Sequence, residues 1–130
     1  MSTPIIPIRV ILLDGVTTGT SNAFNLKNYV APALYIKGEG TISTGTLVIE
    51  EADWDADLAS TYSGTWSTIY VIIPPSTTAA SSVDLTALTG GKQQSIKLRG
   101  PNAYANIRVR IGTSVTGSGG KATVTLVDTV

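Results

Sequence analysis

The 130 residues include no cysteine and no histidine. The first absence removes disulfides, thiolate nucleophiles and Cys-ligated metals; the second removes the side chain that most often serves as a general base near neutral pH. Net charge is missing too. Nine basic and nine acidic residues cancel, so no global field draws the chain to nucleic acid or to anionic lipid. No apolar run approaches the ~20 residues of a membrane-spanning helix. The opening MSTPIIPIRV lacks the basic-then-apolar order of a secretory signal, so the expectation is a water-soluble domain; a secreted domain of this size can also fold without disulfides, so the compartment stays open with a lean toward cytosolic synthesis. Helical periodicity is not sustained anywhere. The best helical candidate, 51–60 (EADWDADLAS), is two or three turns at most, a marginal length without partners.

What the chain does have is β-branched and hydroxylated side chains. Serine and threonine together number 31, and valine and isoleucine each outnumber leucine. Such residues fit a pleated, half-buried surface and lose rotamer freedom in helices. Short apolar runs recur between turn signals: 8–14 (IRVILLD), 21–26, 33–39 (ALYIKGE), 46–50 (TLVIE), 65–73 (TWSTIYVII), 93–98 (QQSIKL), 105–111 (ANIRVRI) and 121–127 (KATVTLV). Asp14-Gly15, Pro74-Pro75, Gly90-Gly91, Gly100-Pro101 and the run from Gly117 to Gly120 punctuate them. About eight strands spaced in this way predict an all-β fold, a two-sheet antiparallel β-sandwich of jelly-roll type.

Alternation turns Ile107, Val109 and Ile111 inward and Arg108 and Arg110 outward, and it does the same for Ile96 and Leu98 against Lys97 and Arg99. Val124 and Leu126 point in, between outward Thr123 and Thr125. A length of 130 residues suits one domain. We expect a single sandwich over 8–130, preceded by an extended arm over 1–7 in which Pro4 and Pro7 hold Ile5 and Ile6 exposed. The small-residue stretch 76–85 (STTAASSVDL) reads as a connection between the sheets.

Residues 49–69 hold five of the nine carboxylates and both tryptophans. Asp53, Asp55 and Asp57 alternate as the first ligands of a calcium loop do. That loop needs glycine at its sixth position and glutamate at its twelfth, and Leu58 and Gly64 stand there instead. A solvated acidic loop is therefore the preferred reading, with the three aspartates as weak metal candidates. Catalysis has less support still: the serines lack a partner base, and the clustered carboxylates do not flank a cleft. The glycine pairs lack the helix and lysine of a phosphate cradle. No catalytic residue and no cofactor are expected.

Lys97, Arg99, Arg108 and Arg110 form one exposed stripe if their strands are neighbours. With no aromatic residue interleaved it does not suit base stacking. It suits a solvated face, or a protein interface meeting the acidic 50–57 stretch of another copy in a head-to-tail ring. Trp66 reads as a core or sheet-face anchor. Trp54, among carboxylates, is an interface candidate, or with Tyr62 a sugar-stacking one.

ALYIKGEGTISTGTLVIEEAD, YSGTWSTI, LTGGKQQSIKLRGPNAYANIRVRI and VTGSGGKATVTLV together resemble small β-rich virion proteins of tailed bacteriophages, most of all capsid decoration (cement) proteins, over roughly residues 30–130. The resemblance implies a jelly-roll-like subunit, often a homotrimer, assembled in the host cytoplasm. It would bind the major capsid protein on the outer surface of the shell without any chemistry. The apolar arm at Ile5 and Ile6 is then the first contact candidate, alongside Trp54 and the basic stripe. Two other readings stand beside it: a tail-fibre or adhesin module recognising host carbohydrate, and a cation-dependent lectin-like domain.

Overall fold

The computed structural model describes residues 8–26, 29, 31–52, 64–73, 75–98 and 106–128. In chain order the strands are β1 (Ile8–Val16), β2 (Phe24–Asn25), β3 (Pro32–Glu39), β4 (Thr44–Ala52), β5 (Ser67–Thr68), β6 (Val71–Ile72), β7 (Ala79–Ala80), β8 (Val83–Asp84), β9 (Gln93–Lys97), β10 (Asn106–Thr116) and β11 (Lys121–Asp128). One 3-10 turn, Leu85–Leu88, precedes β9.

Two antiparallel sheets carry the fold. The first has the order β1-β11-β3-β9 and the second β2-β10-β4-β5, with β8 also on β4. The pairing is nested. The first main strand pairs the last (β1 with β11), the second pairs the next to last (β2 with β10), β3 pairs β9, and β4 pairs β5 and β8. A single long hairpin rolled up on itself gives this pattern, so the fold is the expected all-β sandwich and its topology is that of a jelly roll.

Alternation decides which side chains meet between the sheets. Leu34 and Ile36 on β3 and Val124 and Leu126 on β11 face Leu47 and Ile49 on β4 and Ile107 and Val109 on β10, all buried in one cluster. Each such side chain contributes about 1.5–3 kcal/mol by leaving water. Leu85 and Leu88 of the 3-10 turn close one end of the core. Asp84 caps that turn, accepting from the Thr86 amide at 3.0 Å, which ties a donor the short turn cannot satisfy itself.

The β10–β11 connection is locked from outside. The Thr41 amide donates to Ser118 O at 3.0 Å and the Ser43 amide to Thr116 O at 2.8 Å. Gly117 sits there at φ 123° with Thr41 O where a β-carbon would be. Only glycine meets both the left-handed backbone and the close approach.

Three expectations change. Residues 65–73 are not one strand: after Ile69, whose amide donates to Ile49 O at 2.8 Å, the chain leaves β4, and β6 pairs with β7 instead. The 76–85 stretch is more than a connection, since it supplies β7 and β8. The helix over 51–60 fails at its start, because Glu51 and Ala52 extend β4 opposite Ile107 and Asn106. Pairing with a long neighbouring strand outweighs a two-turn helix with no partner. Its remaining residues lie outside the described ones, as does the arm over 1–7.

Candidate functional site

The most distinctive surface lies on the outer side of the second sheet. With Leu47 and Ile49 turned into the core, Val48 and Glu50 of β4 face out; with Ile107 and Val109 turned in, so do Arg108 and Arg110 of β10. The register sets Arg108 directly opposite Glu50 and Arg110 opposite Val48, diagonal to Glu50. Direct and diagonal neighbours across a strand pair are both within reach of long side chains.

Glu50 is the pivot. Although it points away from the core it is only 7% exposed. Its Oε1 accepts from Arg108 Nε at 2.9 Å and from Arg110 Nε at 3.3 Å. Two charge-assisted hydrogen bonds offset the cost of taking one carboxylate out of water. The Arg108 guanidinium also lies 4.4 Å from the centre of the Trp66 ring, a cation–π contact that brings in a residue 42 positions away in sequence.

Two arginines against one glutamate leave the group with one surplus positive charge (2 − 1 = 1). The arginine side chains are 24% and 38% exposed, and both engage Glu50 through Nε. Their terminal nitrogens remain as donors toward solvent or an anionic partner. Beyond β5 the chain leaves this sheet for the separate β6–β7 pair. Ile69 and Val71 are buried, while Tyr70 and Ile72 on the opposite side of the chain are 64% and 48% exposed. Thr68, opposite Glu50, belongs to the outer side of the second sheet. Arginine and large aromatic side chains on one rigid sheet face are the composition of protein-interface centres.

Beside this face, Glu51 points to the inner side between Ser67 and Ile107 in register, and burial raises its pKa above the ordinary glutamate value. Asp128, at the end of β11, is buried and accepts from the Ala31 amide at 2.7 Å. It fixes the entry into β3; burial, and after it the Asp128 charge, raises the pKa of Tyr29. Asp128 serves the fold, whereas the ionised form of Glu51 is held there at a cost.

The expected basic stripe does not form. Lys97 is on β9 in the first sheet, and Arg108 and Arg110 are on β10 in the second; the two sheets turn their outer faces to opposite sides of the sandwich. Inside one chain, Glu50 from the acidic stretch neutralises part of the Arg108–Arg110 pair. Trp66 is the sheet-face anchor, and it supplies an aromatic neighbour that β10 itself lacks. Ile5, Ile6, Asp53, Trp54, Asp55, Asp57, Tyr62 and Arg99 lie outside the described residues. Sequence reading missed Glu50 as pivot, because its partners are 58 and 60 positions away. It also missed Tyr70 and Ile72, because Ile69, Tyr70, Val71 and Ile72 are all apolar and nothing in that run marks which side stays exposed.

A jelly-roll β-sandwich with one charged and aromatic outer face is the class that fold and surface define. No protein-family model matches the chain, and no curated protein matches it. Among solved structures it is similar to the crystal structure of the SPBc2 prophage-derived protein YomS, with a TM-score of 0.58 and 14% identity over 98% of each chain. At that identity the likeness is one of fold.

Proposed function

We propose that this chain is a structural protein of a tailed bacteriophage that decorates the capsid, binding the outer surface of the major capsid protein lattice and stabilising it without catalysis. The observation that carries the reading is the end-to-end match of its fold to a prophage-derived protein, joined to the resemblance of its turn and strand motifs to decoration proteins. Physical support comes from a packed core, an outer sheet face on which Arg108, Arg110 and Trp66 offer donors and apolar area together, and the exposed Tyr70 and Ile72 beyond it. A protein that binds only the assembled shell stabilises it by mass action.

The test is the number of copies per purified particle, by quantitative mass spectrometry against the major shell protein. A number near one per shell subunit is the expected result. A handful of copies would move the protein to a tail or fibre, where glycan binding through Tyr70 becomes the question, and complete absence from particles would remove the virion reading. Particles carrying Tyr70→Ser with Ile72→Ser should bind fewer copies while the isolated protein melts as before.

A further inference from the structure

The first sheet ends at β1, and its nine residues pair only with β11 among the described residues. The far edge of β1 therefore presents a row of backbone donors and acceptors, the usual template for adding another strand. Natural edges of this length are commonly blunted by charge in mid-strand. Here the charges sit near the two ends: Arg9 and Asp14, both exposed. Neither makes an ion pair among the described residues. Between them the strand is apolar (Val10, Ile11, Leu12, Leu13), and Ile11 is 55% exposed on the outer face. It lies in register with Thr125, exposed Tyr35 and Ser95 across the whole sheet.

We propose that β1 is the contact edge of a two-fold dimer, pairing antiparallel with β1 of a second copy so that Arg9 of each chain faces Asp14 of the other. The register follows from the charges and from the bulge. Opposed residues of an antiparallel pair share a face. In an unbroken strand, positions 9 and 14 would lie on opposite faces. In β1 the register with β11 slips between Ile11 and Leu13: Arg9 and Ile11 pair with Val127 and Thr125, which alternate to the outer side although Val127 is itself buried, and Leu13 pairs with the inward Val124. The slip returns Asp14 to the outer face that Arg9 occupies. Pairing 9 with 14 then sets half-buried Val10 against buried Leu13 on the inner face, and the bulge of one strand meets that of the other at the two-fold axis.

The same bulge selects the occupant. It spoils the ladder for a regular strand, which has no matching irregularity, whereas a second copy carries the identical one and offers opposite charge at both ends. The resulting sheet is continuous through eight strands, four from each chain. The dimer stands or falls independently of the capsid reading.

The experiment is sedimentation or light-scattering mass over a dilution series, with circular-dichroism melts to confirm folding. The native chain should show a concentration-dependent dimer that weakens with added salt. Arg9→Asp and Asp14→Arg each replace two attractive cross-strand pairs by two repulsive ones. Each should raise the dissociation constant roughly ten- to a hundredfold. The double variant carrying both substitutions restores opposite charges across the axis and should restore the dimer. A folded native chain that stays monomeric throughout, a trimer mass, or a folded double variant that stays dissociated would each overturn the proposal.

Discussion

Across the outer face of the β1-β11-β3-β9 sheet, the middle row reads Ile11, Thr125, Tyr35 and Ser95, neutral from edge to edge. Across the β2-β10-β4-β5 sheet, the corresponding surface is organised around Glu50, held by Arg108 and Arg110 with Trp66 alongside. The inner faces of the two sheets are interchangeable in chemistry, both built of buried Leu, Ile and Val. A sandwich needs only its inner faces to agree, so the outer faces are where one sheet can take on a task the other lacks. In this chain a buried carboxylate shared by two arginines belongs to the outer face of the second sheet, and a neutral middle row, with an edge strand unpaired among the described residues, to the first.

The largest expected effects probe the shared core. Leu34→Ala in the first sheet and Ile107→Ala in the second should each cost about 2–5 kcal/mol in urea unfolding, because both are fully buried in the same cluster. A near-zero cost in either one would show that its sheet is not part of the cooperative unit. Gly38→Ala belongs in the same range. A β-carbon on Gly38 would lie 2.8 Å from that of Leu88, which forces β3 and the 3-10 turn apart.

Next comes the contrast between outer faces. Glu50→Ala strips two arginines of their shared acceptor. The guanidiniums stay partly solvated, so the loss should fall between a surface pair and a buried one, about 1–3 kcal/mol. Thr125→Ala, at the matching place on the other sheet, should cost under ~0.5 kcal/mol. Equal midpoints for the two variants would erase the difference drawn here. Asp84→Ala, which removes the cap of the 3-10 turn, should cost about 1 kcal/mol, and retention of the full thermal midpoint would mean the cap is redundant.

The smallest effect depends on pH. Burial raises the pKa of Glu51, so the folded state holds its proton more tightly than the unfolded chain does. The contribution to stability is greatest below the ordinary glutamate value and is lost as pH rises through the raised one. Glu51→Gln should therefore melt slightly higher than the native chain at neutral pH, and that advantage should vanish in acid. A gain that persists unchanged at low pH would assign the effect to packing.

Legibility followed the range of the signal. The alternation of Ile107, Arg108, Val109, Arg110 and Ile111 is a property of five consecutive residues, and the burial it predicts is the burial found. The same holds for Ile96 with Leu98 and for Val124 with Leu126. The 65–73 run was misjudged because its apolar content is continuous, while the division between β5 and β6 depends on which neighbour each half meets. The supposed basic stripe failed for a related reason: Lys97 and Arg108 share a charge but not a sheet.

The sequence by itself determined the all-β class, the places where the long strands run, and the direction in which most side chains point, since β-branched content, glycine and proline punctuation and a period of two all act within a few residues. The tertiary structure alone decided which strands became neighbours. Nested pairing brought Glu50 to Arg108 and Arg110 and laid Trp66 beside them, and it left β1 with one edge unpaired among the described residues. Those outcomes rest on contacts across dozens of residues, where pairing geometry, desolvation and the closing of a common core select among arrangements that local pattern leaves equal.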